Sequence, residues 1–166
     1  MTTATRSLHP TRIDIGEDAR HGLVELLNRQ LADTSDLASQ LKQAHWNVKG
    51  RDFQQLHELF DEVYAALLPF VDELAERVAT LGGTARGTVR MAAQASTLPE
   101  YPVGATTGGE HLEALRSRIA DYAASTRRAI GAAETLGDPT TADLFTAVSR
   151  AVEQQLYFIE SHLHGS

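Results

Sequence analysis

Hydrophobic residues recur every three or four positions along four stretches of the chain. This spacing places them on one face of a helix, which can then be buried against neighbouring helices. The pattern predicts four helices, covering about residues 17–47, 52–81, 109–135 and 139–163. No stretch shows the alternation of a β-strand, and there is no internal repeat or low-complexity segment. The chain is therefore predicted to be all-α, with its helices packed as a bundle.

The second and third helices are joined by a long connection at residues 84–108. It is interrupted by Pro99, Pro102, Gly104 and Gly108. Its segment 87–96 is predicted to form a short helix. A connection of this length allows the next helix to run parallel rather than antiparallel to its predecessor. The predicted architecture is therefore a four-helix bundle with one long crossover that carries a short helix.

Local signals mark where the predicted helices begin and end. Asp52 can cap the second helix, and Gly82 stops it. Asp138 followed by Pro139 is typical of the start of a helix. Pro69 lies in the middle of the second helix, where its missing N–H removes one backbone hydrogen bond. We therefore expect the second helix to bend there.

Residues 1–16 show no hydrophobic periodicity, so we expect a flexible N-terminal tail in front of a bundle domain of residues 17–166. The tail carries Arg6 and Arg12 but no lysine, and the whole chain has a net charge of −7. An anionic body attracts cations and repels nucleic acid unless a basic segment is set apart from it. Direct DNA binding through this tail is therefore expected to be weak and sensitive to salt.

The composition is that of one globular domain of 166 residues, with 42% hydrophobic and 22% charged residues. No apolar run has the length of a membrane span, and the N-terminus has no apolar segment of a secretory signal. The chain contains no cysteine, which excludes disulfides, zinc–thiolate sites and thiol nucleophiles. We therefore expect a cytoplasmic protein with no membrane partner.

The second predicted helix carries four side chains that can bind a metal: His57, Asp61, Asp72 and Glu76. The first two are four residues apart, as are the last two, so each pair projects from one face of the helix. The eleven steps from Asp61 to Asp72 bring the helix back to nearly the same direction, so all four side chains lie within a stripe roughly 100° wide. The same eleven steps correspond to a rise of roughly 16 Å, which is too far for one metal site to use both pairs of one helix.

A two-fold axis would bring these pairs together. The four side chains are arranged symmetrically about the point between Ala66 and Leu67. If two copies of the helix pack antiparallel about an axis at this point, the 57/61 pair of one copy faces the 72/76 pair of the other. The symmetry creates this contact twice, once on each side of the axis. His45, in the last turn of the first helix, can add a fifth donor. We therefore hypothesise two metal sites shared across a homodimer interface.

The types of ligand narrow the choice of metal. Imidazole with carboxylate suits iron, manganese or zinc, and the absence of thiolate argues against copper(I) and iron–sulfur clusters. Five donors could hold one metal firmly, or two with water at the open positions that an oxidant needs. Each pair could also be an ordinary solvated helix face. No GxSxG, P-loop or GxGxxG motif offers another chemistry, and no Glu-x-x-His pair indicates a di-iron site within one subunit.

Several segments together resemble one known family. They are KQAHWN at 42–47, Gly50, Phe53, Leu56-His57, Asp61, Asp72, Ala75-Glu76-Arg77, Leu81-Gly82-Gly83, ELLNRQLAD at 25–33, and the stretches 87–102 and 141–163. In these segments the chain resembles the Dps family, the DNA-binding proteins from starved cells of the ferritin superfamily. The resemblance covers most of the chain and implies a ferritin-like four-helix bundle.

The resemblance also implies a function. Members of the family form hollow shells of twelve subunits, oxidise Fe(II) with hydrogen peroxide or dioxygen, and store the ferric product as a mineral. It implies ferroxidase ligands at His45, His57 and Asp61 of one subunit and at Asp72 and Glu76 of its two-fold mate. It implies that Trp46 lies beside this centre.

Two further points follow from the resemblance. Family members take up iron through acidic pores near the start of the fourth helix, for which Asp138 and Asp143 are the nearest candidates here. A simple role for both as acids at a helix start is an equal alternative. The family name also suggests a second function, that of a nucleoid protein that compacts DNA. A third alternative is a bundle that binds zinc or manganese at the same five candidate ligands without turnover.

Overall fold

The computed structural model describes residues 8–164 and consists of five α-helices in this range. They are α1 (Glu17–Asn47), α2 (Phe53–Thr80), α3 (Val89–Ala95), α4 (Gly108–Thr135) and α5 (Pro139–Leu163). The described residues contain no β-strand, although Lys49 and Thr107 form an isolated bridge. The predicted all-α fold is confirmed, with four long helices and a short helix in the long crossover.

The directions of the helices follow from the side chains that meet between them. On α1 and α4, Gln30 bonds to Ser125 and Gln40 bonds to Arg118, so these two helices are antiparallel. α1 is also antiparallel to α2, because its last turn contacts the first turns of α2. α2 and α4 therefore run in the same direction, which is the arrangement that the long crossover predicts.

The core is built from the hydrophobic faces that the sequence pattern indicates. Its largest fully buried side chains include Tyr122, Phe60, Phe145, Leu27, Leu41 and Leu74. Burying a side chain of this size contributes about 1.5–3 kcal/mol relative to leaving it exposed. The packed core fixes α1 against α2, so the residues on their outer faces have defined positions.

α2 continues through Pro69 without interruption, from Phe53 to Thr80. The ring of Pro69 lies on the exposed side of the helix, next to the exposed Leu68. Because proline has no N–H, the carbonyl of Ala65 loses its usual helical donor on this exposed side. The helix therefore tolerates the proline, and the bend expected there stays a prediction.

The residues just before α1 lie against the end of the bundle. The backbone N–H of His9 donates to the carbonyl of Gly82 (2.8 Å), and Leu8 and Ile15 pack against the core. Gly82 has a φ of 85°, and a Cβ there would come within 2.4 Å of the carbonyl oxygen of His9, so only glycine suits this position. The flexible tail predicted over residues 1–16 stays a prediction, and its residues 1–7 lie outside the described part of the chain.

Candidate metal centre

His45 near the end of α1 and His57 in the second turn of α2 pack against each other. Their rings are stacked, with centroids 3.7 Å apart and planes 22° apart. Nδ1 of His45 lies 2.7 Å from the backbone carbonyl oxygen of His57, and Nδ1 of His57 lies 2.8 Å from that of His45. Each ring is therefore held by the backbone of the other residue.

This reciprocal arrangement fixes the tautomer of both rings. A carbonyl oxygen can only accept a hydrogen bond, so Nδ1 of each histidine must carry the hydrogen. In the neutral imidazole the lone pair is then on Nε2, which is the nitrogen left to bind a metal. Metal-binding histidines are commonly oriented in this way by a hydrogen bond from the second nitrogen to a carbonyl. The pair is therefore prepared to donate two nitrogen ligands.

The end of α1 supplies one of these acceptors because the helix stops there. The carbonyl of His45 is among the last four of α1, which have no partner within the helix. In a longer helix the N–H of Lys49 would reach it, but this N–H donates to the carbonyl of Thr106 (3.2 Å) instead. The carbonyl of His45 is thus free to accept from His57. The stop after Asn47 therefore contributes directly to the site.

Asp61 lies one turn after His57, and its carboxylate is paired with a residue that the sequence reasoning did not identify. Nζ of Lys42 lies 2.6 Å from Oδ1 of Asp61. The hydrogen bond and charge of Lys42, with smaller contributions from the two histidines, lower the pKa of Asp61. Nζ of Lys42 also lies 5.9 Å from the ring centroid of Trp46 and 5.2 Å from that of Tyr64. The spacing of Lys42, three residues before His45 on α1, is the signal that could have found it.

The other two predicted ligands are not brought to this place within one chain. Asp72 and Glu76 are exposed on α2, one turn apart. The nineteen residues from His57 to Glu76 correspond to roughly 28 Å along a helix. Among residues 8–164 no group of three or more histidine and acidic side chains is arranged to hold a metal ion. Within a single chain the candidate ligands therefore form two separate groups.

The surface between these two groups is apolar and exposed. Ala65, Leu68 and Pro69 all lie on the exposed side of α2, between Asp61 and Asp72. Trp46 and Phe53 extend the surface at one end, with side chains that are 65% and 41% exposed. The ring of Phe53 lies 5.0 Å from that of His57. A surface of this kind beside polar groups is typical of a contact with another protein chain.

The two residues predicted at a pore have different environments. Asp138 is buried and caps α5, accepting hydrogen bonds from the backbone N–H groups of Thr140 and Thr141. Oδ2 of Asp138 is also paired with Nη2 of Arg77 on α2 (2.8 Å). Asp143 is exposed on the next turn of α5. The carboxylate of Asp138 is therefore engaged in holding α2 to α5, while Asp143 faces solvent; a role of either residue in iron uptake stays a prediction.

The contacts of Asp138 lead to a prediction about stability. Burial alone would raise the pKa of Asp138, but hydrogen bonds from Thr141 and Arg77 outweigh it, so the pKa is lowered from 3.8. Asp138→Asn should destabilise the fold by about 2 kcal/mol, because it replaces the carboxylate that pairs with the half-buried guanidinium of Arg77 by a neutral amide. Chemical denaturation would measure this loss, and Asp143→Asn should change the stability by less than about 0.5 kcal/mol. The contribution of Asp138 should be present above pH 3.8 and disappear as the pH falls through its lower folded pKa. Equal effects of the two substitutions on stability would contradict the conclusion that Asp138 stabilises the fold through its buried contacts.

Comparison with known proteins gives consistent matches over nearly the whole chain. The family described as "Ferritin-like domain" matches residues 24–165. A "DNA protection during starvation protein" of Agrobacterium fabrum is 41% identical over 155 residues, which are 93% of this chain and 96% of that protein. Among solved structures, DpsC from Streptomyces coelicolor has a TM-score of 0.92 at 31% identity and covers 100% of this chain and 97% of its own. Dps from Mycobacterium smegmatis has a TM-score of 0.89 at 31% identity, covering 98% and 96%.

Proposed function

The chain belongs to the Dps family of ferritin-like proteins, and from that premise we propose that it oxidises Fe(II) at sites shared by two copies of the chain and stores the ferric product. Membership of the family supports a general role in iron storage and DNA protection. The observation that carries the finer proposal is the pair His45 and His57. Their Nδ1 atoms are fixed by backbone carbonyls, which leaves two Nε2 atoms for a metal beside the carboxylate of Asp61.

The exposed face of α2 supports the sharing of sites between two copies. The candidate ligands are at the two ends of this face, and the apolar residues Ala65, Leu68 and Pro69 lie in the middle. Antiparallel pairing of two such faces would bury the apolar centre and bring Asp72 and Glu76 of one copy to the histidines of the other. A two-fold contact of this kind repeats each interaction, so one contact creates two complete sets of ligands. We propose that such pairs assemble further into a hollow shell of twelve subunits.

Iron is the substrate of the proposed reaction. Hydrogen peroxide accepts two electrons and two protons as it becomes two molecules of water, and two Fe(II) ions supply the electrons as they become Fe(III). Imidazole and carboxylate ligands suit Fe(II) and leave positions open for the oxidant. Removing Fe(II) and peroxide together would protect DNA, which agrees with the names of several relatives. Dioxygen is the alternative oxidant.

Peroxide consumption on addition of Fe(II) tests this proposal most simply. The native protein should consume about one peroxide for every two Fe(II) ions, and it should do so much faster than Fe(II) in buffer. A protein that binds zinc or manganese without turnover would bind metal but would not accelerate the reaction. Oxidation of Fe(II) at the rate of the protein-free control would rule out the ferroxidase function.

Lys42 should weaken the binding of metal at Asp61, because its ammonium group, 2.6 Å from Oδ1, competes with a metal ion for this carboxylate. Lys42→Gln should therefore increase the affinity for Co(II), a spectroscopic substitute for Fe(II), by up to about fivefold. A titration followed by visible absorption would measure this. The matched control is Lys49→Gln, at the other lysine of the chain, which should leave the affinity unchanged. A lower affinity in Lys42→Gln would show instead that Lys42 supports the site.

Trp46 follows His45 directly, and its exposed ring lies near Lys42. We propose that it supplies the second electron when only one Fe(II) ion is bound and peroxide is in excess. Because Trp46 is the only tryptophan, its oxidation can be followed as a loss of indole fluorescence. The loss should be large with one Fe(II) per site and small with two. An equal loss without iron would contradict a role for the bound metal.

DNA binding is the second candidate function, favoured by the names of the relatives. The predicted tail lacks lysine, and the chain is anionic, so we propose that DNA is protected mainly by removal of iron and peroxide. A gel shift at low salt, with and without residues 1–16, separates the two functions: retardation that depends on this segment would establish direct binding.

No helix within residues 8–164 is long and apolar enough to cross a membrane. We propose a cytoplasmic location, with association with the nucleoid depending on the outcome of this test.

A further inference from the structure

One further histidine, which is fully buried, lies at the same end of the bundle as the candidate metal centre. His111, the fourth residue of α4, has no solvent exposure. Its Nδ1 lies 2.6 Å from the hydroxyl of Tyr101, which is buried near the end of the crossover. The backbone of Asn47 interacts with this imidazole and favours its protonated form, while Nε2 has no hydrogen-bond partner of full geometry among the described residues. A buried polar atom in this position calls for a physical explanation.

The Tyr101–His111 pair joins two parts of the chain that meet at the end of α1. We call residues 100–107 the crossover end. Besides this pair, it is held by the hydrogen bond from the N–H of Lys49 to Thr106 and by Arg118, which lies over the ring of Tyr101 and donates to the carbonyl of Glu100. The exposed carboxylate of Glu110 also accepts from the N–H groups of Thr106 and Thr107. Of these contacts, the Tyr101–His111 pair is the one that is buried on both sides. It is therefore the buried hydrogen bond that holds the crossover end against the bundle.

The charged groups near His111 are few. Glu110 favours the protonated imidazole and Lys49 opposes it, while α2 contributes the ring of Phe60 with its centroid at 6.4 Å. Backbone hydrogen bonds from Thr107 and Thr106 hold the pKa of Glu110 at about 2, so this carboxylate stays ionised in mild acid. Burial raises the pKa of Tyr101, so its hydroxyl keeps its hydrogen. Burial is also the largest influence on His111, and it lowers the pKa of this imidazole below 6.5.

We propose that Tyr101 and His111 form an acid-sensitive latch that fastens the crossover end to the bundle beside the end of α1. When His111 is neutral, the hydroxyl of Tyr101 donates to Nδ1. Protonation adds a hydrogen to Nδ1. Nδ1 and the hydroxyl of Tyr101 would then each direct a hydrogen at the other, and the hydrogen bond is lost unless the hydroxyl rotates. It also places a positive charge in a buried environment. This inference is independent of the proposed oxidation of iron.

The direction of the pH effect follows from the lowered pKa. The open or unfolded chain takes up a proton near pH 6.5, whereas the closed latch resists it. The latch therefore has its full stability above pH 6.5 and loses stability as the pH falls below that value.

Hydrogen exchange in the native protein tests the latch directly. The amide of Lys49 reports the crossover end, because it donates to Thr106, and the amide of Ile119 in the core of α4 serves as reference. After correction for intrinsic rates, the protection of Lys49 should fall several-fold relative to Ile119 between about pH 7.5 and about pH 5.5. Parallel behaviour of the two amides would overturn the proposal without any substitution being made.

Two variants then assign the effect to His111. His111→Asn cannot titrate but keeps a side-chain oxygen that can accept from Tyr101, so it should lose the acid-dependent fall in protection. His162→Asn removes an exposed histidine from α5 and should keep the full effect. Retention of the effect in His111→Asn, or its loss in His162→Asn, would overturn the assignment to His111.

Discussion

Replacing both His45 and His57 with alanine should slow the oxidation of Fe(II) by hydrogen peroxide about 100-fold or more, because the site loses both of its nitrogen ligands. The single variants should lose less than the double variant. The hydrogen bond that orients each ring goes to the backbone carbonyl of the other residue, and an alanine keeps that carbonyl. The remaining ring therefore stays in place. Stopped-flow absorbance of Fe(III) would measure the three rates.

His162 provides a matched control for this experiment. It is an exposed histidine on α5 whose Nδ1 also lies close to a backbone carbonyl, that of Phe158 (2.8 Å). His162→Ala should leave the oxidation rate within about twofold of the native rate, since surface substitutions away from a site have small effects. If the double variant at positions 45 and 57 kept the native rate, the metal centre would have to be elsewhere in the protein.

Leu68→Glu should abolish oxidation almost as completely, although it changes no candidate ligand. Leu68 is 42% exposed and lies close to the proposed two-fold axis. In a symmetric pair, two glutamates would be brought close together in an apolar contact, where the cost of burying both charges prevents association. We expect the mass in solution to fall and the oxidation rate to approach that of the double histidine variant. Circular dichroism should show unchanged helix content.

The control for Leu68→Glu adds the same charge elsewhere. Ala124 is exposed on α4, away from the outer face of α2. Ala124→Glu should leave the pairing through α2 and the oxidation rate unchanged. A Leu68→Glu protein that is monomeric and still oxidises Fe(II) at the native rate would show that one chain contains a complete site.

The sequence was sufficient to predict the helices because their signals are local. The hydrophobic spacing and the local start and stop signals predicted the four long helices within one residue, and Asp138 followed by Pro139 marked the start of α5 correctly. The short helix expected within residues 87–96 is α3. The family was also recognisable, because KQAHWN and the later ligand spacing occur together. Helix boundaries and family membership can therefore be predicted from local patterns and a long motif, even when the packing of the helices is unknown.

The contacts around the candidate site could not be predicted in the same way. The exchange of hydrogen bonds between His45 and His57 depends on the distance between two helices, which no spacing in one helix reveals. The pairing of Lys42 with Asp61 depends on the same packing. The resemblance made Asp138 a candidate for a pore and its position made it a candidate for the start of a helix, whereas its burial against Arg77 arises from the approach of α2 to α5. These features belong to tertiary structure rather than to periodicity.

The sharing of the metal site between two copies is tested most directly by co-expressing two inactive variants of the protein. One variant carries Asp72→Ala and Glu76→Ala, and the other carries His45→Ala and His57→Ala. If the site is shared, about half of the pairs formed by co-expression contain both variants, and each such pair has one complete site of two. The mixture should then recover about a quarter of the native oxidation rate, although each variant alone stays near background. A mixture that stays at background would contradict the shared site.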